Sequence, residues 1–255
     1  MSAVRSRPLS RFEAVLLDYA NTVVQFDRPQ IEAIHVSLAA FLSHAVAPID
    51  ARALGAVMDR VCVAQPQSED KRELAPHEQM RRIVQAAYGR RFRTCDQVVV
   101  DADRVYQDGF VSSLQIDDPT LDALAQLRRS LPVGLVSNYP CGTSLRRSLA
   151  TLGIVDWLDP VVISGEVGYC KPHPRLFQIA LEGLGVAADA VLFVGDSWES
   201  DMVGAHAAGM ATCHHVGLAA PEDHEQRYES YRPDFTIRNL GELDGILAGF
   251  VGGRA

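Results

Sequence analysis

The sequence predicts an α/β protein, a doubly wound parallel sheet carrying a helical segment inserted after its first strand. Three observations predict it. Two apolar runs, AVLLDYANT (residues 14–22) and AVLFVGDSWESD (residues 190–201), each end in an acid and a polar turn. That is the form of a buried parallel strand whose carboxyl end opens onto a site. After Asp117, strand-like and helix-like runs alternate, which gives parallel strands joined by crossover helices. Between about Asp27 and Gln115 the apolar residues instead recur at helical spacing, as at Ile31, Ile34, Leu38, Phe41 and Leu42.

The elements follow in order. Residues 14–18 form the first strand. The insertion is punctuated by Pro48, Pro66 and Pro76, so it reads as several short helices, with the polar stretch 65–74 as a loop. Asp118-Pro119 opens a helix with proline at its first position, and Leu121, Leu124 and Leu127 share one face. Strands are predicted at 132–137, 160–164, 190–196, 211–216 and 234–237. Helices are predicted at 143–152, 174–184 and 200–208, closed by Gly153, Gly185 and Gly209. The organisation is therefore a Rossmann-like α/β core of residues 1–26 and 116–255, with residues 27–115 as a helical cap over the carboxyl edge.

Composition narrows the function. A chain of 255 residues with 47% apolar and 22% charged residues suits a globular protein of one large domain plus an insertion. The net charge of −8, without a basic stripe, argues against nucleic acid as a partner but not against a small anionic substrate. The five cysteines are odd in number and never spaced C-x-x-C. That argues against a disulfide framework or structural zinc and fits a reducing cytoplasm. No apolar run approaches the roughly 20 residues of a membrane span, and the first residues lack the apolar centre of a signal peptide. Nothing in the sequence reads out an oligomeric state.

Four polar positions stand at predicted strand ends. Asp18 suits a nucleophile, a metal ligand or a helix cap, with Thr22 in the turn behind it. Ser137-Asn138 suits a grip on phosphate oxygens beside a helix N-terminus, or a plain turn. Lys171 is one of only two lysines, with Lys71, and its compact ammonium suits neutralising a phosphate. Asp196 and Asp201 suit sharing a divalent cation, or dividing the work between cation and Lys171. Helix capping explains one of them more easily than both.

In this order (acid, Ser/Asn, Lys, paired acids) the constellation resembles the haloacid dehalogenase-like (HAD) hydrolase superfamily, in the branch whose cap follows the first strand. The likeness extends through Gly165-Glu166, Gly168-Tyr169-Cys170-Lys171-Pro172, Ala207-Ala208-Gly209-Met210 and Pro233-Asp234-Phe235. It implies Asp18 as the nucleophile of an aspartyl-phosphate reaction on a small phosphorylated substrate. Thr22, Ser137 and Asn138 would bind the phosphoryl group with Lys171. Mg²⁺ would be held by Asp18, the backbone carbonyl of Ala20, Asp196 and Asp201.

Ala20 departs from the pattern. Family phosphatases carry an acid there, as proton donor to the leaving alcohol, and losing such a group costs about 10²–10⁴-fold. Asp18-Tyr19-Ala20-Asn21-Thr22 is close to the D-x-G-N-[TV] of some phosphatases in the family. Ala20 is also compatible with an Asp-to-Ala replacement that traps substrate, with a non-catalytic phospholigand-binding protein, and with a phosphonatase using Lys71 as Schiff base. Haloacid dehalogenation fits poorly, because the metal-binding acids are retained. A sugar phosphate or biosynthetic intermediate is the default substrate, and Tyr19, Arg52, Arg60, Arg72, Arg81, Arg82, His35, His44 and His77 are candidates to contact it.

Overall fold

A computed structural model describes residues 11–63, 70–217 and 231–251. Its centre is a six-stranded, wholly parallel sheet in the order β3-β2-β1-β4-β5-β6. The strands are β1 (Ala14–Leu17), β2 (Val133–Ser137), β3 (Val161–Ile163), β4 (Val191–Gly195), β5 (Ala211–His215) and β6 (Phe235–Ile237). β1 lies between β2 and β4, with Val15 opposite both Val133 and Leu192. The chain works outward from β1 to β3, then crosses back to β4. Strand order reverses between β1 and β4, and a crevice opens at the carboxyl ends there.

Residue alternation along β1 explains why both faces are covered. Val15 and Leu17 join one apolar cluster with Leu135, Leu192 and Val194, while Ala14 and Leu16 join another with Val136, Val191 and Phe193. The first face is covered by α5 (Asp118–Ser130), α6 (Gly142–Thr151) and α10 (Leu243–Val251), through Leu124, Leu145 and Leu243. The second is covered by α8 (Pro174–Leu184) and α9 (Val203–Ala207), through Leu176, Phe177 and Ala205. The short α7 (Ser164–Val167) follows β3 directly.

The segment between β1 and α5 is helical, as the spacing predicts: α1 (Arg28–Ala45), α2 (Ala51–Val63), α3 (Pro76–Tyr88) and α4 (Gln97–Ser113). These helices enclose an apolar cluster of their own, including Leu38, Leu42, Leu54, Met80, Ile83 and Val99. Ile34 of α1 and Phe110 of α4 instead join the sheet's first cluster. Pro76 opens α3, while Pro66 lies outside the described residues.

Two isolated backbone pairings tie this segment to the sheet. Gln25 pairs antiparallel with Gln115, where the chain leaves the core and returns to it. Arg72 pairs antiparallel with Tyr169: the Cys170 N–H donates to the Lys71 carbonyl (2.7 Å) and the Glu73 N–H to the Gly168 carbonyl (3.1 Å). The predicted loop at 65–74 is thus fastened at its far end.

One predicted element differs. The continuous helix at 200–208 is instead a wide π-type turn, Trp198–Met202, followed by α9. In this turn the Met202 and Val203 N–H groups reach carbonyls five residues back, at Ser197 and Trp198, while Asp201 Oδ2 accepts the backbone N–H of the capping Ser197 at 3.0 Å.

Candidate active site

Asp18 emerges from β1 and Asp196 from the adjacent β4, so strand pairing alone delivers two acids to one crevice. The wide turn after β4 adds Asp201, which is fully buried. Gly195 makes room for it, since a Cβ there would stand 2.4 Å from Asp201 Oδ2. One oxygen from each of the three carboxylates lies within 4.8 Å of the others.

Among the described residues one cation, Lys171, pairs with two of them. The Lys171 ammonium lies 2.5 Å from Asp18 Oδ1 and 2.6 Å from Asp201 Oδ1, and donates to the Val136 carbonyl at 2.7 Å. Burial works against the charged ammonium, but the Asp18 and Asp201 carboxylates outweigh it, and its pKa stands above the ordinary lysine value. One lysine does not neutralise three acids. Burial, reinforced by the charges of Asp18 and Asp201, pushes Asp196 up to about 8. Burial also lifts Asp201 to about 6 against the pull of Lys171. Three oxygens this close, with charge left uncompensated, suit a hard divalent cation.

The remaining predicted residues fall around this centre. Thr22 is buried, and its hydroxyl has no hydrogen-bond partner among the described residues, an orphan that a phosphoryl oxygen would satisfy. Asn21, in the left-handed conformation at φ 59°, turns the chain behind Ala20. Ser137 ends β2. The Asn138 side chain is committed elsewhere: Oδ1 accepts the Lys171 N–H (2.6 Å) and Nδ2 donates to the Lys171 carbonyl (3.1 Å). It fixes the backbone that carries the ammonium.

Beside these residues is a cavity of about 210 Å³. Tyr19, Ala20, Ser137 and Asn138 form its floor, and α3 and α4 supply the opposite wall, including Met80, Asp103 and Phe110. Tyr19 is both core and wall: its hydroxyl bonds Ser148 Oγ at 2.7 Å, and burial raises it to about 12.

The cations proposed from sequence to meet a leaving group stand mostly elsewhere. Arg81 and Arg82 pair with Glu78. Arg52 and His35 line a larger cavity of about 690 Å³ between α1 and α2, away from the carboxylates. Arg60 and His44 are exposed, and Arg72 lies over the Tyr169 ring. His77 alone among them reaches a residue of the cavity wall, 3.3 Å from Asp103 Oδ2. Lys71, the lysine a Schiff base would need, is not among the residues lining this cavity.

Sequence reasoning missed Asp103, Gln107 and Tyr139, which line the same cavity. The one available signal was the pair of polar residues spaced i, i+4 on an otherwise apolar face of α4.

A family model described as haloacid dehalogenase-like hydrolase matches residues 12–209. Over 125 residues, 49% of this chain and 53% of the relative, the sequence is 37% identical to the pyrimidine 5'-nucleotidase YjjG of Escherichia coli strain K12. Over 154 residues, 59% of this chain and 64% of the relative, it is 33% identical to the glyceraldehyde 3-phosphate phosphatase of Methanopyrus kandleri. The chain thus matches less than two thirds of the length of either. The crystal structure of 2-haloacid dehalogenase from Pseudomonas syringae pv. Tomato DC3000 superposes with a TM-score of 0.72 at 22% identity, covering 94% of this chain and 99% of that one. At that identity the likeness shows the fold alone. Among the described residues no helix is long and apolar enough to cross a membrane. The family match takes in Asp18, Asp196, Asp201 and Lys171, and on it the chain belongs to the haloacid dehalogenase-like hydrolases.

Proposed function

We propose that the protein is a magnesium-dependent phosphatase of small phosphate monoesters, with residues 27–115 as a cap over a core of residues 1–26 and 116–255. The observation that carries this reading is the Lys171 ammonium clamped between Asp18 and Asp201, with Asp196 in the same cluster of carboxylates. The two relatives, a nucleotidase and a sugar-phosphate phosphatase by name, support the same chemistry.

An Asp18 oxygen attacks phosphorus, forming an aspartyl-phosphate, and the ester oxygen departs with the bonding electrons. Water then attacks the phosphorus and releases phosphate, restoring the carboxylate. Thr22 and Ser137 hold phosphoryl oxygens, and Asn138 keeps Lys171 in place. Asp18, the Ala20 carbonyl, Asp196 and Asp201 would hold Mg²⁺, which when bound supplies positive charge to the transferring group. Phosphoryl transfer depends on such clamping more than on covalent machinery.

The test is phosphate release from p-nitrophenyl phosphate and a panel of sugar phosphates, with Mg²⁺ and with EDTA. Turnover that survives EDTA would overturn the metal-dependent reading. Ala20 favours one second reading, a protein that binds a phosphorylated ligand without consuming it; calorimetry with product analysis separates the two.

Ala20→Asp supplies the missing proton donor. It is expected to raise kcat on alkyl phosphates by about 10²–10⁴-fold. The gain should be smaller on p-nitrophenyl phosphate, whose leaving group needs little protonation. Equal rates before and after on alkyl esters would mean that the site works without an acid at residue 20.

The acid cluster also predicts a pH dependence. Asp196 and Asp201 hold their protons more tightly folded than unfolded, because burial raises both. The stability they contribute is present below their unfolded pKa near 4 and lost as pH rises through about 6 and about 8. With respect to these two groups, the metal-free protein should therefore melt at a lower temperature at about pH 8.5 than at about pH 5. Mg²⁺, which binds the deprotonated acids, should raise Tm more at the higher pH. Scanning calorimetry with and without Mg²⁺ reads both effects.

A further inference from the structure

The wall of the cavity opposite Ala20 holds a buried polar array that the phosphoryl chemistry does not use. Asp103 of α4 is only 6% exposed, yet it is the one carboxylate among the lining residues. Its Oδ1 accepts Gln107 Nε2 at 3.1 Å, and its Oδ2 lies 3.3 Å from His77 Nε2. Gln107 Oε1 in turn accepts the Tyr139 hydroxyl at 2.7 Å. Around this array the wall is mostly apolar: Phe26, Met58, Met80, Ile83 and Phe110, with the Phe110 and Tyr139 rings stacked at 4.0 Å, and Gln79 and Tyr106 as further polar members.

Two features select what fits here. Among the described residues no lysine or arginine lines the cavity, so a carboxylate on the leaving group would sit there without a lysine or arginine partner and would face Asp103. Burying an unpaired charge beside a like charge is costly. An O–H or N–H would instead meet the remaining lone pairs of a buried carboxylate that Gln107 and His77 hold in place, a strong acceptor. The volume of about 210 Å³ equals roughly seven waters at about 30 Å³ each, room for a small alcohol.

We propose that Asp103, positioned by Gln107 and His77, selects the leaving alcohol, admitting small neutral or cationic groups that present an O–H or N–H and rejecting those with a carboxylate. The proposal rests on the phosphatase reading and names its substrate class.

The test compares two esters of one skeleton, 2-hydroxyethyl phosphate and phosphoglycolate, which differ only in hydroxymethyl against carboxylate. The protein should favour 2-hydroxyethyl phosphate in kcat/KM by about tenfold or more. Asp103→Asn, which keeps shape and removes charge, should shrink that ratio about tenfold, mainly by lowering KM for phosphoglycolate. Gln107→Glu, which adds a second carboxylate, should widen it, and serves if the first variant does not fold. A preference for phosphoglycolate, equal use of both esters, use of neither, or a ratio unmoved by the variants would overturn the proposal. p-Nitrophenyl phosphate run in parallel separates the two levels. Its hydrolysis with the wrong ratio sinks the selectivity alone, and its survival intact sinks the phosphatase reading with it.

Discussion

Asp18→Asn is expected to lower phosphate release by about 10⁴-fold or more, the scale on which removing a nucleophile acts in enzymes that form covalent intermediates. The substitution suits the site because it changes little else. Asparagine keeps the shape at the end of β1, and the backbone N–H of residue 18 still donates to the Val194 carbonyl at 2.8 Å. Lys171 keeps Asp201 at 2.6 Å and the Val136 carbonyl at 2.7 Å, so its charge stays paired. The fold should therefore survive, and circular dichroism and thermal melting close to the parent would show that the loss is chemical. Turnover of p-nitrophenyl phosphate within tenfold of the parent would remove Asp18 from the mechanism.

Lys171→Met should produce the largest loss of stability, about 3–5 kcal/mol at neutral pH, the cost of breaking a buried ion pair from one side. Methionine fills most of the volume but leaves Asp18, Asp196 and Asp201 facing one another without their ammonium. The cost should shrink toward pH 5. Without the ammonium, Asp196 and Asp201, already raised by burial, take up protons more readily, and neutral carboxyls do not repel. Urea denaturation at both pH values measures this. A loss below about 1 kcal/mol at neutral pH would mean that water or a bound ion already compensates the cluster.

The fold and the clustering of Asp18, Asp196, Asp201 and Lys171 were legible in the sequence for the same reason. A buried parallel strand is a short apolar run that must stop where polar chemistry starts, so the stop marks both the strand end and the site. The runs before Asp18, Ser137 and Asp196 all end this way, and the three ends meet in one crevice. The opposite wall was not legible. Whether Asp103 faces solvent or a cavity depends on how α4 packs against α1 and α3, and helical periodicity gives a face without saying what it meets. The arginines drew attention as charges, but Arg81 and Arg82 are occupied by Glu78 one turn away on their own helix. The wide turn at 198–202 was hidden for another reason. Its departure from a regular helix lies in the backbone, where the Met202 and Val203 N–H groups reach carbonyls five residues back, and apolar spacing does not distinguish that pairing from a regular helix.

The pairing of Arg72 with Tyr169 gives the helical segment a mechanical character. At Gln25 and Gln115 the two connecting segments lie side by side, joined by one antiparallel backbone pairing. At the far end, the Lys71–Cys170 and Glu73–Gly168 backbone bonds form a latch, which the Glu73 carboxylate tightens by accepting the Ser164 hydroxyl at 2.5 Å and the Cys170 thiol at 3.2 Å. The helical segment is thus a door held at both edges. The latch plate is the peptide immediately before Lys171, so the door is fastened to the same stretch of chain that carries the charge at the centre of the site.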